Sequence, residues 1–465
     1  QAGLGSFENS HSGNVGIGYY ALRVVTTGAG NVVLGQYAGD SVTSGGDNVI
    51  IGNVAGATMT STTNTVLIGR SAGTAINSTD ANGTVAIGYT AGQSITSGAA
   101  NTVIGYESGK ALTTGGSNIS LGYQAHLALV SGDNNVAIGV NAADAMAVGE
   151  SENIAIGTSA LGGMDEGTAG GDIDGNIAIG HAALVGGDLA GNDRQVQDNI
   201  AIGRNSLNST SDNAQTGTIA IGKDALTALT SGAGNTAIGY LAMATSTVNH
   251  SNVAIGYAAM RYSNGNESQN VAIGYEAGTS MDNNDSSKSI LIGYRAGKGG
   301  TGEIDRCVVI GDGAMDGTGA VGAQQNIFIG NDAGGGTWTT AASNSNVAIG
   351  ATAMSAALNG ALGNTALGHD TLKALTSGDY NVAVGHNAGS TVTTGGGNTL
   401  LGRSSGGSLT TGVDNVLIGG YAGNAHNQSY VVCIGASSGQ HSGGSSVHIG
   451  RLAGRFMGGI HNVSI

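Results

Sequence analysis

Asn31-Val-Val-Leu-Gly35, Asn48-Val-Ile-Ile-Gly52, Asn101-Thr-Val-Ile-Gly105, Asn270-Val-Ala-Ile-Gly274 and Asn415-Val-Leu-Ile-Gly419 are one phrase written five times. Its glycine recurs 25 times, from Gly18 to Gly450, each time with a small residue three positions later. The spacing begins at 17 residues and stays between 15 and 23. One small unit repeated at a fixed short period is the mark of a solenoid, in which each coil packs only on its neighbours. The expected fold is therefore all-β, a parallel β-solenoid or β-roll of about 26 coils with a unit of about 17 residues, counting the last phrase at Asn462. At ~4.8 Å per stacked coil, such an array would be roughly 120–130 Å long. The chain reads as a single continuous repeat array over 1–465, with irregular insertions near 161–199 and 334–345. Function then belongs to a long surface and not to one pocket.

Positions are numbered from the repeat glycine, and each row is named by it. Position −1 is Ile, Leu or Val, and position −3 is Val, Ile or Thr. Side chains alternate along a strand, so these two share a face, which is read as the core. Position +3 is always Ala, Ser or Thr, as at Ala38, Ser108 and Thr371, which implies a backbone passing close by. Position +7 is apolar in the regular rows, as at Val25, Val42 and Leu375. Position −4 is Asn in 19 of 26 rows, where stacked amides can form a ladder or cap turns.

Position −2 lies opposite −1 and −3, and yet it is apolar or small: Val33, Ile50, Ala254, Ala272, Phe328, Leu417. Strands apolar on both faces are buried on both faces. This column is therefore expected to face other copies of the chain, and charge placed at Ala254 and Ala272 to disrupt the assembly. His448 stands alone in the same column, where copies around an axis would converge on an ion or water.

Composition narrows the function classes. The chain has 87 Gly, no Pro and a formal charge of −15 with only 15 Lys plus Arg. That balance argues against nucleic acid and against polybasic membrane docking. No apolar run is long enough to span a bilayer, and Gln1-Ala-Gly-Leu-Gly5 has no leader-like pattern. Cys307 and Cys433 lie seven rows apart in different columns and read as small buried hydrophobes.

The phrase Asn-Val-Ala-Ile-Gly, in the rows ending at Gly256, Gly274 and Gly350, resembles the head repeat of trimeric autotransporter adhesins. Phage tail fibres carry similar repeats. The unit here is longer, and the sequence carries neither a coiled-coil stalk nor a membrane anchor. The resemblance implies a homotrimer of parallel rods on a virion or cell surface, with attachment as the role. It brings no catalytic residue.

Enzyme signatures are absent from the sequence. Gly109-Lys110 lacks the upstream glycine of a phosphate loop. No Cys/His metal spacing and no nucleophile elbow occur, and no cofactor is expected. The Asp-Asn-Asn runs at Asp133 and Asp282 do not recur as in a calcium roll. Rows that break the pattern are the contact candidates. Acidic insertions contain Asp165, Glu166, Asp172, Asp174, Asp188, Asp193 and Asp198, and read as one protrusion. Trp338, the only Trp, reads as an exposed loop anchor. Position +1 carries Tyr89, Tyr106 and Tyr123, then Tyr240, Tyr257, Tyr275 and Tyr294: a ladder that stabilises a sheet, or one that meets a cell-surface glycan or receptor. The expected role is an extracellular or virion fibre segment, a structural spacer with an adhesive surface for host or surface attachment. The alternatives are a purely structural filament subunit and, third, a polysaccharide-degrading tail spike.

Overall fold

A computed structural model of the chain describes residues 13–164, 172–186, 195–210, 215–281 and 286–465. It is an all-β parallel solenoid of about 25 turns with a repeat of about 17 residues, and its one helical element is a single 3-10 turn at Thr79–Ala81 among the described residues. The chain falls into two units, residues 1–234 and 235–465. The first contains twelve strands that carry the repeat phrase, from Val15–Ile17 to Ile219–Ile221, and the second fourteen, from Thr236–Ile238 to Val463–Ser464. Within each unit neighbouring rows pair in parallel with like columns matched, as in Val32↔Val49 and Val253↔Val271.

The strands are short because the phrase ends in a glycine that no other residue can replace. Gly35 has φ of +140°, and a Cβ on it would lie 2.5 Å from the carbonyl oxygen of Gly52 in the next row. The chain turns there at the closest approach between coils, and stacking makes that constraint recur in every row. Left-handed residues at +2 (Tyr37, φ 57°) and −5 (Asp47, φ 57°) complete the bends on either side.

The interior corrects the assignment of faces. Position −2 points into the coil: Val33, Ile50, Ala254, Ala272, Phe328 and Leu417 are all fully buried within a single chain. Positions −1 and −3 are outside, as at Val32 (42% exposed) and Leu34 (44%). The column expected to mediate self-association is thus the core, and the column expected to be the core is the outer face. Alternation gives two faces but does not say which is inside when both are apolar. Burial settles it. Position +4 shares the interior and in several rows is sized inversely to −2. Phe328 and Leu417 go with Gly334 and Gly423, whereas Ala155 and Ala254 go with Leu161 and Met260. A Cβ on Gly334 would sit 2.9 Å from the Phe328 ring. In these rows the two columns share one slot.

Asn at −4 lies on the inner side with −2. Its amide binds in two directions. Asn48 Nδ2 donates to Asn31 Oδ1 in the row before (2.9 Å) and to the carbonyl of Thr62 across the coil (2.9 Å). Asn31 Oδ1 also accepts the Asn48 backbone N–H. One side chain thus ties row to row and closes its own turn, which no apolar residue can do. Where Thr65 replaces Asn, its hydroxyl donates to Asn48 Oδ1 at 2.7 Å and continues the ladder.

The long rows add a second strand. Asp172–Asp174, Gln195–Gln197 and Gln215–Thr216 form a separate parallel ladder, with Ile173 and Val196 buried beneath it. Ile304–Asp305 and Ala323–Gln324 pair likewise. The described acids of the first insertion are therefore built into sheet. Asp174 Oδ1 accepts the N–H of Ser151 (2.6 Å), and Gln197 donates to Asp172 (3.3 Å). Asp165, Glu166, Asp188 and Asp193 lie outside the described residues.

Trp338 is also corrected. It is fully buried, edge-on to Phe328 with ring centroids 6.0 Å apart. Its backbone N–H donates to Gly317 O at 2.8 Å. The insertion that carries it widens the coil, and the indole fills the added space.

Candidate functional site

The outer face of the strands is built from four columns. Positions −3 and −1 alternate with the buried −2 and project outward, and −5 and +1 flank them in the bends at the two ends of each strand. The two middle columns are Val, Ile, Leu or Thr in every row and carry no charge. They are half-buried to exposed throughout both units. The two rims are mixed. Position −5 holds residues such as Asp47, Ser117, Asp198, Ser251, Lys288 and Arg306, and position +1 holds the tyrosines, histidines and further charges. An apolar band between polar rims is the anatomy of a protein interface.

The tyrosines do form ladders. In the first unit Tyr89, Tyr106 and Tyr123 stack with centroids 5.1 and 5.4 Å apart and rings within 16° of parallel. In the second, Tyr257, Tyr275 and Tyr294 stack at 4.9 and 5.3 Å, and Tyr240 joins them at 5.6 Å, tilted by 32°. These four are 41–46% exposed. Each inner ring spends much of its faces on its neighbours, so solvent meets mainly edges and hydroxyls. His369 and His386 repeat the arrangement at 5.3 Å.

Beside the second ladder one carboxylate pairs with two cations. Glu276 Oε2 takes Arg295 Nε and Lys298 Nζ, each at 3.0 Å. Partial burial pulls the Glu276 carboxyl upward, but the bonds from Lys298 and Arg295 outweigh it and hold the pKa below the usual value. The Arg295 guanidinium also sits 5.1 Å from the Tyr294 ring centre.

Other candidates lead inward. His448 is inside the coil, not on an axis, and its Nδ1 lies 2.7 Å from Ser464 Oγ. Ser120 Oγ and His126 Nδ1 are 2.7 Å apart, and burial pushes the His126 imidazole down to about 3. Both residues are sealed in the core, so the pair has no access to a substrate. Cys307 and Cys433 are buried free thiols, each pushed up to about 11 by burial. Among the described residues no group of three or more His, Cys, Asp or Glu side chains could hold a metal ion, and no helix is long and apolar enough to cross a membrane. Sequence reading found the tyrosine ladders but missed the outer apolar band. The signal for that band lay in the parity of the Asn column, which shares its side with −2.

Comparison with protein-family models and with curated proteins found no match.

Proposed function

We propose that this chain is a fibre segment that associates laterally with copies of itself through the −3/−1 face. It would act as a spacer in an extracellular or virion fibre, with three copies as the expected number. One observation carries the reading. Each unit exposes a charge-free band two side chains wide along all its rows, twelve in the first and fourteen in the second. A band of that length far exceeds the ~300–600 Å² of the largest apolar patch on a typical monomer. The likeness of the repeat phrase to adhesin heads supports the placement outside the cell.

Charge on this face tests the reading. Ile255→Glu with Ile273→Glu is expected to leave β-structure intact, because both side chains project outward, and to lower the molar mass in solution. An unchanged mass with both glutamates in place contradicts it. An adhesive role accompanies the proposal, and its candidates are the exposed edges of Tyr240, Tyr257, Tyr275 and Tyr294. Loss of binding to a cell-surface glycan or receptor in the Tyr257→Ser, Tyr275→Ser chain would support that element; unchanged binding would remove the ladder from it.

A further inference from the structure

The tyrosine ladders hold a chemistry that stacking alone does not use. The backbone keeps position +1 in register from row to row. The N–H of each +2 residue donates to the +1 carbonyl of the row before, as Glu276 does to Tyr257 (2.9 Å) and Arg295 to Tyr275 (2.8 Å). The rings follow that register. Tyr257 and Tyr275 lie within 7° of parallel and Tyr275 and Tyr294 within 13°, with centroids 4.9 and 5.3 Å apart. Tyr89, Tyr106 and Tyr123 repeat the arrangement in the first unit. Near-parallel rings related by one row set the ortho carbons of one phenol beside those of the next, at close to the centroid separation. These six rings are 40–47% exposed, so each can turn toward its neighbour without moving the backbone.

The ladders are also what an oxidant in solution reaches. Other readily oxidised side chains are withdrawn: Cys307, Cys433 and Trp338 are fully buried, and of the nine Met only Met457 is exposed. A phenol that loses one electron and its proton becomes a tyrosyl radical, with much of its spin on the ortho carbons. In a ladder, the nearest partner for that radical is another phenol one row away. Tyr380 and Tyr430, at 64% and 61%, are more exposed but differ in this respect. They sit at −5, where the neighbouring rows carry Gly363 and Gly397 for the first, Asp414 and Ser445 for the second. Exposure alone would favour these two, and geometry favours the ladders.

We propose that adjacent tyrosines of each ladder are sites of oxidative cross-linking within one chain, joining coil to coil by a dityrosine bond. A one-electron oxidant of the peroxidase class, working with hydrogen peroxide, takes one electron and the O–H proton from each of two phenols. The two radicals form one bond between ortho carbons, and the hydrogen displaced from each carbon passes through solvent to its own oxygen. Two phenols and one peroxide thus give one biphenol and two waters, and the chain loses two hydrogens per link. A link from Tyr257 to Tyr275 closes a loop of eighteen residues, which constrains the unfolded chain as a disulfide would. Coils that otherwise hold only their neighbours by non-covalent packing gain a covalent tie. The proposal stands on ring geometry within a single chain and does not require self-association.

The test is mild oxidation of the dilute wild-type chain with a peroxidase and hydrogen peroxide, read by a reducing denaturing gel, dityrosine fluorescence and peptide mass mapping. Dityrosine is expected in chains that still run as single copies, with a yield per chain that does not fall on dilution. The peptides carrying Tyr257 and Tyr275 should be found joined and lighter by two hydrogens. Oxidation of Met457 adds an oxygen and is separated by mass. The linked chain should melt at a higher temperature than the untreated one. Tyr275→Phe should remove the links to Tyr257 and Tyr294 and leave the link between Tyr89 and Tyr106 in place. Oxidation in urea, where the ladders are lost, should abolish the preference for partners one row apart. Dityrosine found only between chains overturns the proposal, and so does a folded chain that forms none. The same link pattern in urea as in buffer also overturns it.

Discussion

At the scale of the residue, this fold depends on four positions in each row. The repeat glycine lets coils approach, the −4 amide binds them, and −2 with +4 fills what remains. Phe328→Ala should cost about 3–5 kcal/mol. Gly334→Leu in the same chain should recover roughly 1 kcal/mol or more, because leucine already occupies left-handed +4 positions such as Leu161 (φ 51°). Additive losses in a denaturation cycle would refute the shared slot. The buried imidazoles make stability depend on pH. Burial pushes His426 down to about 4 from 6.5, with His448 adding to it, and pushes His126 to about 3. As pH falls below ~6.5 the unfolded imidazole takes its proton while the folded one refuses it. The contribution is therefore complete above that value and is lost between ~6.5 and about 4 for His426 and down to about 3 for His126. Thermal midpoints should drop over this window, and His426→Leu, which restores the apolar +7 column, should flatten the slope. An unchanged slope would contradict the assigned burial.

At the scale of the element, the described parts of rows that break the period are built into the solenoid. The first insertion continues as the strand Asp172–Asp174, and the insertion after Gly334 lets Trp338 close a widened coil. As the only Trp, Trp338 should show the blue-shifted emission of a buried indole and resist iodide quenching. Trp338→Ala should cost about 3–5 kcal/mol. Free quenching would return it to the surface. These elements also show what the sequence could reveal. The period, the short strands, the glycine requirement and the Asn ladder follow from composition by column, because each is a rule applied in every row. The tyrosine ladders follow for the same reason. Which face is inside did not follow, since −3, −2 and −1 are all apolar and period 2 is symmetric between them. The Asn column, which shares its side with −2, held part of the answer, and the inverse sizes of −2 and +4 in rows such as those of Gly256 and Gly330 held another part, a relation invisible to either column alone. The depth of Trp338 was hidden because a single insertion has no column to compare with.

At the scale of the whole molecule, the inversion of faces moves the proposed association surface from alanine-rich −2 to the branched −3/−1 band. Charge at Ala254 and Ala272 should now unfold the surrounding rows, since a carboxylate there would be buried without a partner. Charge at Ile255 and Ile273 should spare the fold and dissociate the copies. Circular dichroism separates the two outcomes. The measurement that bears most directly on the account is the molar mass of the wild-type chain by light scattering at micromolar concentration. The account predicts a folded species of more than one copy, three being the expected number. A folded monomer with the −3/−1 band in water would contradict it.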